Sequence, residues 1–284
     1  MTANTALYGP QWSLGSWLGN WTDSNDVDWI VSTEEGWSSS PDLRSDIADL
    51  PGADGGSDAA SLYSARQIML SGAAVAPDPA TAAAARLAFS STLEATRGGT
   101  LSCTENGVTL SADVRLTGPV RIAQNGPYGF DFQLALTAPD PRKYAAAVET
   151  SVGLPLAPAG LPFPVAFPAN FGAASGGSVS VANGGTVRTW PVLRIAGRAV
   201  NPRVTNPVTG DELRLAMTVE AGQYVDIDTA ARTVLLQGTA SRRSVVSVSG
   251  EWLPIAPGSA SLKFGADVYD ASALLTVAVR SAWI

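Results

Sequence analysis

Asp226 and Asp228 alternate with Val225 and Ile227, so in an extended strand both carboxylates leave the same face. Two carboxylates so placed could act as acid and base, or share a calcium ion. The residues that follow, Thr229-Ala230-Ala231-Arg232, read more simply as a hairpin turn in which Asp228 bonds the backbone, and this structural reading is preferred. The other candidates for chemistry are weak. The chain has no histidine, which removes Ser/His and Cys/His nucleophile systems, zinc hydrolase sites and the commonest general base. Cys103 is the only cysteine; it excludes an internal disulfide and a multi-thiolate metal site, and in its Thr/Ser-rich strand it reads as a small buried hydrophobe. The runs Gly52-Ala53-Asp54-Gly55-Gly56 and Gly98-Gly99 lack the Lys-Ser/Thr ending of a phosphate loop. Arg242-Arg243 reads as a solvated charge pair at a loop tip. No catalytic residue, cofactor or metal site is expected.

The elements that would have to position any site are strands. Among 284 residues, Gly, Ala, Ser, Thr and Pro are abundant and charge is sparse, which favours strands and turns. Five of the eight tryptophans (12, 17, 21, 29 and 37) precede residue 38, where core burial is their default role. Val27–Val31 reads as a short strand. Ser38–Asp58 carries almost no apolar period and reads as a long surface loop suited to contacts. Ser61–Ser71 resumes as a strand with Leu62, Ile68 and Leu70 apolar. One helix is expected: Asp78 as N-cap, Pro79 at the first helical position, Ala82–Thr96 as its body, and Gly98-Gly99 beyond its end. Leu87, Phe89 and Leu93 are its expected sheet-facing residues. Strands follow over Gly99–Glu105, Val108–Leu116, Val120–Ile122 and Gly129–Ala138. In the last, Phe130, Phe132, Leu134 and Leu136 alternate with more polar residues.

A boundary follows at Pro139-Asp140-Pro141-Arg142-Lys143-Tyr144, after which Pro, Ala and Gly dominate. The expected division is therefore a domain over 1–145, a stiff linker or covering arm over 146–176, and a second domain over 177–284. From Gly177 onward short strands recur between turns, among them Val192–Ala196, Glu212–Val219, Tyr224–Asp228, Thr233–Leu236 and Ala273–Ala278. That pattern points to an antiparallel sandwich of jelly-roll type.

Charge is divided unevenly. Residues 1–175 hold 17 acidic and 8 basic side chains, and residues 176–284 hold 8 and 10. An acidic half argues against gripping nucleic acid, whose affinity comes from Lys and Arg on phosphates, so no sequence-specific nucleic-acid binding is expected. Composition alone favours a solvated acidic loop over an acidic passage for DNA. Apolar stretches such as 153–171 are broken by proline, and no basic segment leads into an apolar run at the N-terminus. Neither membrane insertion nor a signal peptide is expected.

Two stretches are specific when read together. One is Pro139-Asp140-Pro141-Arg142-Lys143-Tyr144. The other runs from Trp190-Pro191 through Asn206 and Thr209-Gly210, then Asp226 and Asp228, Trp252-Leu253, Pro257-Gly258 and Trp283. Together they resemble the distal tail protein family of siphophages, the siphovirus-type tail component family; Gly36-Trp37-Ser38-Ser39-Ser40-Pro41 suits it as well. The resemblance implies a mainly β fold, with an N-terminal domain related to the tail tube and a C-terminal galectin-like sandwich. It implies a homo-hexameric ring between the tail tube protein and the tail-tip hub protein, serving receptor-binding parts, with DNA passing through the lumen. On that footing the acidic half gains a second reading, a passage of matching sign. The place implied is the virion, at the tip of a long non-contractile tail, after assembly in the host cytoplasm. The galectin-like label concerns topology, and no aromatic cluster of lectin type is legible.

The preferred reading is thus a non-enzymatic structural hub adaptor. A carbohydrate-binding or adhesion module contacting the host envelope is the alternative. A glycosidase using Asp226 or Asp228 is a distant third.

Overall fold

The computed structural model of the chain describes residues 4–45, 48–50, 52, 54, 56–57, 61–92, 98–156 and 177–284. The fold is mostly β, with one α-helix among the described residues. It divides into two compact units, residues 1–146 with Ile284, and residues 147–283. The division falls inside an eleven-residue strand, Lys143–Gly153. The sequence reading starts a proline-rich arm at residue 146, and the structure corrects that start. Val148, Thr150 and Val152 are β-branched at alternate positions with no proline or glycine among them, which suits a strand. Residues 157–176, the rest of that stretch, lie outside the described residues.

In the first unit the strands Asp28–Glu35, Arg66–Val75 and Gly129–Ala138 are hydrogen-bonded neighbours, with Arg121–Asn125 on the far side of the last. The antiparallel register sets Ile68 against Leu136, Leu70 against Leu134 and Ala74 against Phe130. Period-2 alternation in both strands therefore buries one set of side chains together. A second ladder joins Trp17–Gly19, Gln11–Leu14, Gly99–Glu105 and Val108–Leu116. The hairpin between the last two turns on Asn106-Gly107, both at positive φ, as a two-residue type I′ turn requires. Val108–Leu116 then reaches the other ladder, where Arg115 and Leu116 pair with Thr137 and Leu136.

The helix spans Pro79–Ser90, and the Asp78 carboxylate accepts from the backbone N–H groups of Ala80 and Thr81. Its buried face is Ala82, Ala85 and Phe89, at i, i+3 and i+7. Leu87, expected on that face, is 75% exposed. Two residues from both Ala85 and Phe89, it points to the opposite side of a 3.6-residue turn. Leu93 lies outside the described residues. Phe89 meets Trp17, Trp29 and Phe132 at ring-centroid distances of 5.6, 5.2 and 4.9 Å. These inclined contacts add to the large apolar area that the rings bury. The expected loop at Ser38–Asp58 is partly strand: Leu43–Arg44 pairs with Leu62–Tyr63, and Ala48–Asp49 with Gly56–Ser57.

The second unit is a two-sheet sandwich. One sheet runs Ser178–Asn183, Gly258–Gly265, Arg203–Thr205, Glu212–Leu215, Val246–Ser249. The other contains Leu274–Trp283, Val192–Ala196, Tyr224–Asp228, Thr233–Leu236 and Ala240–Ser241. Val179, Val181, Val204, Leu213, Leu215, Leu262 and Phe264 from the first join Leu193, Ile195, Val225, Ile227, Val234, Leu275 and Val277 from the second in one core. Strict alternation in each strand produces this, with polar residues on the outer faces.

Candidate functional site

The motif Pro139–Tyr144 sits where the Gly129 strand leaves the first core, and its side chains tie the chain down. Asp140 accepts from the backbone N–H and Nη1 of Arg142, each at 3.1 Å, and from the Tyr144 hydroxyl at 2.6 Å. Burial, and then the bond to Asp140, pushes the Tyr144 phenol well above its ordinary value. Lys143 is buried and donates to the Trp37 carbonyl at 2.8 Å, with its ammonium 5.6 Å from the Trp37 ring centre.

Arg66, at the start of its strand, is fully buried. Its Nε donates to the Pro141 carbonyl at 2.9 Å, and Nη1 to the carbonyls of Gly36, Trp37 and Ser39. One guanidinium thereby joins the Gly36–Pro41 stretch to the Pro139–Tyr144 motif, two segments a hundred residues apart in sequence. Glu34 completes the cluster by accepting from the N–H groups of Trp37 and Ser38. Burial lowers the pKa of both cations, and Arg66 adds to the effect on Lys143, while the Glu34 charge opposes it. Gly36 is at φ +84°, and a Cβ there would lie 1.8 Å from the Gln67 carbonyl oxygen, so the close approach requires glycine. Sequence reasoning missed Arg66. Its signal was a charge in phase with the inward Ile68 and Leu70, which only a ring of acceptors can accommodate.

In the second unit the landmark residues are mostly turn and sheet fixtures. Asn206 is buried; its Oδ1 accepts from the Val208 N–H at 3.0 Å, and its carbonyl from Gly210, which is at φ +78°. The Pro191 carbonyl accepts from the buried Thr229 hydroxyl at 2.6 Å. Trp190 and Trp252 pack on the core, and Arg243 stacks over Trp252 at 4.6 Å. The Arg242-Arg243 pair is thus only partly the solvated tip that the sequence suggests. Pro257 is exposed, and Gly258, at φ +104°, opens the strand Gly258–Gly265. Asn183, also unread in the sequence, is 1% exposed and bonds four backbone groups: Val187, Gly185, Ile255 and Ala282.

Asp226 and Asp228 do share one strand face, and they are occupied separately. Asp228 accepts from the Ala231 N–H at 2.8 Å, as the turn reading expects. Asp226 forms a bidentate pair with Arg194, 2.6 and 3.0 Å. No group of three or more His, Cys, Asp or Glu residues among the described residues could hold a metal. Burial, then Glu105 and Glu34, pushes the Cys103 thiol up to about 12, so it stays unreactive at neutral pH.

Among the described residues these side chains tie backbone segments and turns together. Residues 184–283 match the family model described as siphovirus-type tail component, C-terminal domain. Trp190-Pro191, Asn206, Gly210, Asp226, Asp228, Trp252 and Pro257-Gly258 all lie inside the matched span. The whole chain is similar in fold to SPP1 Dit (gp 19.1), described as a paradigm of the hub adsorption apparatus in phages infecting Gram-positive bacteria. The TM-score is 0.68 at 13% identity, over 98% of this chain and 100% of that one. Chains of the phage p2 baseplate in its activated conformation are also similar in fold. With Sr the TM-score is 0.57 at 12% identity, and with Ca 0.56 at 11%, each over 98% of this chain and 100% of the other. No curated protein sequence matches the chain.

Proposed function

We propose that this chain is a siphophage distal tail protein, a non-enzymatic adaptor in which six copies close a ring between the tail tube and the tail-tip hub. The observation that carries the reading is the combination within one chain: a tail component domain over residues 184–283, and a fold that follows SPP1 Dit along its whole length. The ring is held in the virion at the tail tip, having assembled in the host cytoplasm, and serves the receptor-binding parts. In this reading residues 1–145 form the tube-like ring domain, the stretch after them connects, and residues 177–284 form the galectin-like sandwich. Pro139–Tyr144 fixes the departure of the chain from the ring domain, and the second set of landmarks fixes the sandwich turns. Ring closure also suits a chain with open sheet edges such as Arg121–Asn125 and Val246–Ser249, since unpaired edges invite association.

DNA passes through the middle. Supporting this is the outer face of the Asp28, Arg66 and Gly129 strands. Asp28, Glu35 and Asp131 lie there among the small Ser71, Ala73 and Ala135 and the larger Ile30, Met69 and Val75, with the cation Arg121 on the neighbouring strand beside these three carboxylates. The excess of negative charge keeps a polyanion from adhering.

Native mass spectrometry of the purified chain, alone and with the hub protein, tests the proposal. A hexamer in either sample, together with labelling of the chain at the tail tip in virion images, is the expected result. A chain that stays single in both samples and is missing from the tail tip would sink it.

A further inference from the structure

The outer face of the second unit's Val192 sheet carries a polar groove. Val192 and Arg194 stand beside Ala278 and Thr276 on one neighbouring strand, and Arg194 stands beside Asp226 on the other. With Glu149 these residues line a groove of about 320 Å³. The Thr276 hydroxyl also bonds that of Ser151 at 2.8 Å.

Its chemistry is specific. Asp226 grips Arg194 through both oxygens, and the guanidinium lies 4.5 Å from the Tyr224 ring centre. A side chain that is ordinarily rich in rotamers is therefore fixed before any ligand arrives. A carboxylate offers about four lone-pair sites and Arg194 engages two, so Asp226 retains acceptor capacity. Arg194 uses only Nε and Nη2 in that pair, which leaves its other N–H groups outside it. Thr276 can donate or accept, Glu149 adds a second carboxylate, and Val192 with Ala278 supplies an apolar floor. One cation against two carboxylates makes the lining net negative, which disfavours phosphate, sulfate and carboxylate ligands.

We propose that this groove binds a neutral saccharide. Vicinal hydroxyls donate to Asp226 and Glu149, Arg194 donates to a hydroxyl or ring oxygen, and a C–H face of the sugar rests on Val192 and Ala278. The inference goes beyond the ring reading and does not depend on it.

The full-length chain is applied to an array of neutral hexose and N-acetylhexosamine oligosaccharides printed beside sialylated, sulfated and phosphorylated ones, and the strongest neutral sugar is then titrated calorimetrically. Neutral sugars are expected to bind at least about tenfold tighter than anionic ones, and Asp226→Asn and Thr276→Val each to weaken binding by about tenfold, the scale of one lost hydrogen bond to a charged or pre-positioned group. Both positions lie on the outer face, and melting curves report folding. Should Asp226→Asn melt early, Thr276→Val decides. Three outcomes overturn the proposal: no neutral sugar bound up to millimolar concentration, anionic sugars bound equally well, or both variants binding like the parent. A chain that forms hexamers yet binds no sugar refutes the groove and leaves the ring standing.

Discussion

In the first unit, aromatic rings fill the core and two cations lie beneath its surface: Trp12, Trp17, Trp29, Trp37, Phe89, Phe130 and Phe132, with Arg66 and Lys143 at one end. In the second, aliphatic side chains fill the core and the arginines sit outside, in pairs such as Arg194–Asp226 and Arg203–Asp267. The difference lies in what holds distant segments together. Two well-alternated sheets need only apolar faces that match in register, and the second unit's charges can stay in water. The first unit must hold an irregular backbone, Gly36–Ser39, against a chain exit at Pro139–Tyr144. Carbonyl groups in such segments have no ladder partner, and a buried guanidinium satisfies several at once. Removing a charge should therefore matter far more in the first unit than in the second.

The strongest test of that contrast is Arg66→Ala. It leaves the carbonyls of Gly36, Trp37, Ser39 and Pro141 without their donor and opens a void, so a loss of about 3–5 kcal/mol is expected. Urea unfolding measures it. Arg66→Met, which keeps the stem and its apolar contacts, should recover part of the loss; full recovery would mean that the void, and not the donors, dominates.

Asn183→Ala probes the second unit at a comparable point, a buried amide that satisfies four backbone groups. A loss of about 2–3 kcal/mol is expected, since buried backbone groups are left unpaired while no charge is involved. A loss as large as that of Arg66→Ala would erase the distinction between the units.

How far the sequence revealed these arrangements depended on whether the signal was local. Val192–Ala196, Tyr224–Asp228 and Thr233–Leu236 were readable to the residue because alternation and flanking turns agree. The hairpin at Asn106-Gly107 is of the same local kind, since Asn-Gly is a turn signal in itself. The landmark residues were legible as a pattern, yet their partners were not. Nothing near Arg66 in the sequence shows that its acceptors come from residues 36–39 and 141. Leu87 was misplaced because an alanine-rich helix offers two faces of similar polarity, and only the sheet beneath selects one. The strand Lys143–Gly153 was overshadowed by the prolines beyond it.

Alkaline pH separates the units more gently. Cys103 belongs to the first unit, and its thiol is raised from an ordinary value of 9.0 to about 12 by burial, with Glu105 and Glu34 adding to it. In the unfolded chain the thiol ionises first, so its stabilising contribution is complete below about pH 9 and is lost progressively as pH rises toward 12. Tyr144, also raised, acts in the same direction, whereas Lys143, whose pKa is lowered by burial, acts against them. Chemical denaturation from pH 8 to 11 should show a decline in stability that is shallower in Cys103→Ala. An unchanged slope in that variant would remove the thiol from the explanation.

The smallest effect is expected at Arg194. Its side chain is 54% exposed and that of Asp226 25%, so water and salt screen the pair despite its two short hydrogen bonds. Holding a long side chain in one geometry offsets part of the Coulomb gain, and exposed pairs contribute about 0–1 kcal/mol. Arg194→Met keeps an unbranched stem over Tyr224 and should shift the urea midpoint barely at all, with the remaining difference vanishing at high salt. A loss comparable to that of Arg66→Ala would show that the outer face of the sandwich, and not only its aliphatic interior, carries the stability of the second unit. A near-neutral result leaves Arg194 free to serve recognition, because a residue that contributes little to folding can be held in place for a ligand.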